Sequence, residues 1–150
     1  MSLDDNLRAL ERAPVLSDIG REALRLLAFS AEQARLARGD ILFNTGDDAE
    51  SAYVLVSGRI ELRTGREQRI VGPGTLIGEI ALVVPTTRPC DAVAAEAAHL
   101  LAVPRATFRR MLEEYPNIAA QLRNRLLERM RAEYTDLNRI SENLDRLSGA

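Results

Sequence analysis

The chain has 150 residues, near the commonest size of a single domain, with 46% apolar and 28% charged residues, a composition that supports one folded core and excludes intrinsic disorder. Its formal net charge of −2 supplies no global attraction to nucleic acid or to an anionic membrane, although all 20 basic residues are arginine. No apolar run approaches the roughly 20 residues of a membrane helix, and a lone cysteine, Cys90, excludes an internal disulfide and a cysteine-based zinc site.

The N-terminal MSLDDNLRAL lacks the basic flank and apolar stretch of a signal peptide, so a cytoplasmic location is expected. Leu3, Leu7 and Leu10 share a helical face, and Ile19, Ala23, Leu26 and Leu27 continue at helical spacing; residues 1–37 are expected to form a helical lead-in. Beyond it the chain changes character. Glycines at 39, 46, 58, 65, 72, 74 and 78 punctuate short Val-, Ile- and Leu-rich segments, the turn spacing of an antiparallel β-roll over residues 38–104. RIELR at 59–63 alternates polar and apolar, as a strand with one face on a core does, whereas YVLV at 53–56 and HLLAV at 99–103 read as more deeply buried strands. After Pro104, RATFRRMLEEY places Phe108, Met111 and Leu112 on one helical face. From Pro116 no Gly or Pro interrupts the pattern until Gly149, which predicts a long C-terminal helix within 105–150. The fold class expected is mainly β: a jelly-roll-like antiparallel β-roll with N-terminal helices and a long C-terminal helix.

Within GPGTLIGEIALVVPTTRP, residues 72–89, the two charges are Glu79 and Arg88. EIALV is long enough for a single helical turn whose first amides, at Ile80 and Ala81, are expected to be unpaired and suited to an anion. Gly78 permits close backbone approach. The fork of Arg88 suits a phosphate, and Glu79 can accept from sugar hydroxyls. The residues alone leave two readings open: a sugar-phosphate pocket, or a Glu–Arg pair at the rim of an apolar loop.

The order GDILFNTGDDAESAYVLVSGRIEL, then VGPGTLIGEIAL, then an arginine nine residues after the glutamate, resembles the cyclic-nucleotide-binding domain family over residues 16–128. The resemblance implies a phosphate-binding loop over 72–93 and a ligand that is a cyclic nucleotide, cAMP first and cGMP second. Glu79 would accept from the ribose 2′-hydroxyl, Gly78 and Ile80 would lie beside the sugar, and the Ala81 amide with Arg88 would hold the phosphate. It implies no catalysis and no metal or cofactor; His99, the single histidine, reads as a strand residue, which tells against a metal-dependent β-roll enzyme.

Pro89 departs from the family pattern, since it offers neither an amide nor a hydroxyl to the phosphate. Asp91 would place a negative charge near the same site. A domain that keeps the fold without ligand and serves as a dimerising scaffold is therefore the alternative. No helix-turn-helix is expected, so DNA is not an expected partner, nor is a membrane. Leu126, Met130, Leu137, Ile140, Leu144 and Leu147 fall four and three apart, broken at Glu133. This a/d spacing predicts a homodimer through the C-terminal helix, signalling through it or through an effector protein that the sequence does not name.

Overall fold

The computed structural model describes residues 2–125 together with 127, 128 and 131. Helix α1, Leu3–Arg12, starts at Ser2, whose hydroxyl accepts from the Asp5 amide at 3.2 Å while the Asp5 carboxylate accepts from the Ser2 amide at 3.2 Å. This reciprocal cap satisfies two otherwise orphaned donors. A 3-10 turn, Leu16–Asp18, leads to α2, Arg21–Ser30, and Leu7, Leu10, Leu24 and Leu27 bury the seam between the two helices.

The lead-in expected to reach residue 37 stops earlier. Ala31 turns extended, and Glu32–Leu36 forms strand β1, antiparallel to the last strand of the roll. Its apolar residues are too sparse to announce a strand; pairing with a buried neighbour overrides local propensity.

Strands β2 Ile41–Phe43, β3 Asp48–Ala49, β4 Ser51–Ser57, β5 Ile60–Thr64, β6 Glu67–Val71, β7 Leu76–Ile77, β8 Thr86–Thr87, β9 Asp91–Ala94 and β10 Ala98–Pro104 complete the roll. One sheet has the order β1-β10-β4-β7 and the other β2-β9-β5-β6, with β3 and β8 paired separately. All pairings are antiparallel. Helix α3, Arg105–Glu114, follows, with Phe108 and Met111 buried, and residues 116–125 are helical again. No helix among the described residues is long and apolar enough to cross a membrane.

Two cores share the first sheet. Val54 and Leu101 pack with the helices, whereas Leu55 and Leu100 face the interior of the roll with Phe43, Ile60 and Ala92. This double burial explains why β4 and β10 are almost continuously apolar while β5 alternates. The seam expected through Leu126, Met130, Leu137, Ile140, Leu144 and Leu147 lies outside the described residues, apart from the helical run that leads to it.

The turn from β4 to β5 depends on Gly58. Its φ is +87°, and a Cβ there would overlap the Ala97 carbonyl oxygen and stand 2.7 Å from Ala98 Cα. Both neighbours are backbone and cannot step aside. Gly58→Ala is expected to destabilise the fold by about 2 kcal/mol or more, seen as a lower urea midpoint with an unchanged slope.

Candidate functional site

Strand β7 is held on β4 by the pairs Tyr53↔Ile77 and Val54↔Leu76. Gly78 then adopts a left-handed conformation (φ 75°, ψ 37°) and opens a 3-10 turn, Glu79–Leu82. Ala81 and Leu82 are buried and anchor that turn. The expected helical turn is present, but one expected donor is not free. The Ala81 amide donates to the Gly78 carbonyl at 3.1 Å, because a turn this tight uses its own i→i+3 bond.

The chain returns through β8, whose Thr87 and Thr86 pair with Asp48 and Ala49. The backbone of Arg88 extends this ladder: its amide donates to the Asp47 carbonyl at 2.8 Å, and its carbonyl accepts from the Gly46 amide at 2.9 Å. With its backbone fixed from both sides, Arg88 sends its side chain inward.

That side chain is 4% exposed. Nη2 donates to the Ser51 carbonyl at 2.8 Å, and Cζ lies 4.4 Å from the Phe43 ring centroid and 5.4 Å from that of Tyr53. Nε and Nη1 are buried without a hydrogen-bond partner. Burial pulls the Arg88 pKa below its ordinary value, with Tyr53, Cys90 and Asp47 acting in the opposite sense; a guanidinium still stays charged at neutral pH. A Cβ on Gly78 would stand 2.5 Å from Nη1, so glycine is what lets the loop close over this cation.

Gly78, Glu79, Ile80, Ala81, Arg88 and Pro89 all line one cavity of about 780 Å³. The residues singled out in the sequence therefore meet at one place, with Glu79 half-buried and Pro89 exposed. Cys90 also lines the cavity, and its thiol pKa is raised, chiefly by burial and then by Asp91.

Asp91 does not line the cavity. Its Oδ1 accepts from the Thr45 amide at 2.6 Å and from the Thr45 hydroxyl at 2.8 Å, and these bonds hold its carboxyl below the usual range. His99 lies in β10 opposite Arg35 and Ser57, and burial, then Arg35, lowers its pKa.

Three contributors were not singled out in the sequence. Phe43 and Tyr53 form the aromatic seat of Arg88, with ring centroids 6.2 Å apart; both stand in strand-like segments, which reads equally well as core. The third is Arg105, at the start of α3. Its Nη1 donates to the carbonyls of Ala49 at 2.9 Å, Ala81 at 3.2 Å and Val84 at 3.4 Å, and its amide to Glu50 at 2.8 Å. It clamps the back of the loop from 56 and 24 residues away, a pairing with no local signature.

Residues 33–115 match the family model of the cyclic nucleotide-binding domain. The chain belongs to the cyclic nucleotide-binding domain family. A cyclic nucleotide-binding-like protein of Brucella abortus is similar at 41% identity, covering 73% of this chain and 99% of that one, with a TM-score of 0.65. The N-terminal domain of a transcriptional regulator from Streptomyces coelicolor is 30% identical over 86% of this chain and 94% of its own, with a TM-score of 0.74. A lysophospholipase of Chaetomium globosum is 29% identical over 69% of this chain, which spans only 7% of that protein's length. A cyclic nucleotide-binding domain thus occurs here as a roll whose loop is closed by Arg88 and braced by Arg105.

Removing that brace leaves carbonyls at three positions without their charged donor. Arg105→Ala is expected to cost about 1 to 3 kcal/mol of stability, measured by urea unfolding, and to speed amide exchange at Ala81 and Val83 ahead of the rest of the roll.

Proposed function

We propose that the chain is a regulatory module that binds a cyclic nucleotide in this cavity, without chemistry on the ligand. The phosphate lies on Arg88, and Glu79 accepts from the ribose hydroxyl. One observation carries this reading: a guanidinium that is 4% exposed and has two unpartnered nitrogens beside the cavity wall. A buried cation with spare donors is costly unless an anion completes it. The cation–π contacts to Phe43 and Tyr53 offset only part of that cost and use none of the remaining N–H groups. The binding of Asp91 to Thr45 supports the same reading, because the carboxylate is engaged away from the cavity lining.

The sugar and cyclic phosphate are common to cAMP and cGMP. The resemblance puts cAMP first, and these two residues treat the two ligands alike. The signal passes through a homodimer or an effector protein, and the dimer is supported by the a/d spacing from Leu126 to Leu147.

Calorimetric titration with both nucleotides tests the ligand. Arg88→Leu should weaken binding by about 2 to 5 kcal/mol, and Glu79→Ala by less, since it removes a sugar acceptor and no countercharge. Wild-type affinity in Arg88→Leu would reject the site. For assembly, light scattering after size exclusion should give a dimer mass at micromolar concentration that Leu137→Asp with Leu144→Asp reduces to the monomer.

A further inference from the structure

The cavity wall carries a nucleophile for which the binding of a nucleotide has no use. Cys90 is the only cysteine of the chain. Its side chain is half-buried, packs against the core inside the roll and lines the cavity two residues after Arg88. The two groups sense each other: the guanidinium draws the thiol pKa down, and the thiolate supports the cation. On the other side of Cys90, the Asp91 carboxylate is engaged by the Thr45 amide and hydroxyl and stays out of the lining.

A lone cysteine in a cavity wall is ordinarily packing, and two further observations point past that. Arg88, 4% exposed, keeps Nε and Nη1 buried without a hydrogen-bond partner, so an anion that enters beside Cys90 completes a buried cation. The charges of the lining are also one-sided, Arg12, Arg69 and Arg88 against Glu79, in a chain whose net charge is −2. A cleft with apolar walls and charges chiefly of one sign raises the local concentration and arrival rate of small ions of the opposite sign, by about tenfold or more.

The thiol itself is not activated. Burial and then Asp91 outweigh Arg88 and raise its pKa, so the nucleophilic thiolate is a minor species at neutral pH. Reaction at Cys90 therefore depends on a reagent that the cavity holds in place, and the lining favours an anionic one. The volume of about 780 Å³ lies within the range of roughly 300–1,000 Å³ typical of sites for drug-sized molecules, enough for a tripeptide-sized group.

We propose that Cys90 is a modification site for small anionic disulfides, with glutathione disulfide as the probe, and that the adduct and a cyclic nucleotide exclude each other; this exclusion rests on the cyclic-nucleotide reading above. The Cys90 thiolate attacks one sulfur of the reagent, whose S–S bond breaks as the new S–S bond to Cys90 forms. The departing half leaves as a thiolate and takes up the proton that Cys90 released. The disulfide is the oxidant and is consumed; the retained half stays in the cavity with a carboxylate on Arg88.

Because the chain has one cysteine, intact-mass spectrometry reads Cys90 alone. The full chain is treated with glutathione disulfide, which is anionic, or with cystamine, a cationic disulfide, both folded and unfolded in urea. Folding should shift the ratio of the two rates toward glutathione disulfide by about tenfold or more, and Arg88→Leu, with its fold verified by circular dichroism, should lose most of that shift. The folded wild type decides the matter even where the variant does not fold: no adduct with glutathione disulfide, or a rate ratio equal to that of the unfolded chain, overturns the proposal. Saturating cAMP or cGMP should slow the reaction, and the modified chain should bind nucleotide at least about tenfold more weakly until dithiothreitol restores it. An anionic preference that neither nucleotide slows would reject the cyclic-nucleotide reading and the mutual exclusion, while upholding Cys90 as the modified residue.

Discussion

The structure is organised around one buried guanidinium. Arg88 enters the roll between Phe43 and Tyr53, bonds the Ser51 carbonyl, and keeps two nitrogens, Nε and Nη1, without a protein partner. Taking a cation out of water costs several kcal/mol, and a single carbonyl with two ring faces returns part of it. The surrounding loop makes that placement stable. The β3–β8 ladder fixes the Arg88 backbone, the left-handed Gly78 avoids its Nη1, and the 3-10 turn packs Ala81 and Leu82 beneath. None of these features is economical by itself; each follows from holding one charge at one point of the cavity wall.

The loop is also tied to the helical side of the molecule. Arg105, the first residue of α3, reaches the carbonyls of Ala81, within the loop's short turn, and of Val84, just after it, and that of Ala49 in β3. Phe108 and Met111, further along the same helix, sit in the core shared by α1, α2, β4 and β10. Bracing and packing thus originate from one ten-residue helix. Displacing α3 disturbs the loop and the helical core together, because interiors at close-packed density move as units rather than yield atom by atom.

The cavity extends along the second sheet. There it is lined by Phe43 of β2, Leu62 of β5 and Arg69 and Val71 of β6, apolar side chains but for the arginine.

The sequence by itself determined the parts that depend on neighbours along the chain. RIELR alternates because β5 has one face on a core, the glycine spacing set the turns of the roll, and the residues from Gly78 to Pro89 converge because a short loop between paired strands keeps them close. Tertiary structure alone decided the rest. Glu32–Leu36 is a strand only because β10 offers it an edge. The Ala81 amide is occupied because the turn is 3-10 rather than α. Asp91 turns to Thr45, 46 residues away, and Arg105 to Ala49, 56 away. Arg69 faces the cavity because β6 pairs with β5 in a register that sets it opposite Leu62. The common reason is that periodicity records which residues are buried, whereas direction and partner are chosen by strand register, and register is settled by contacts between segments far apart in the chain.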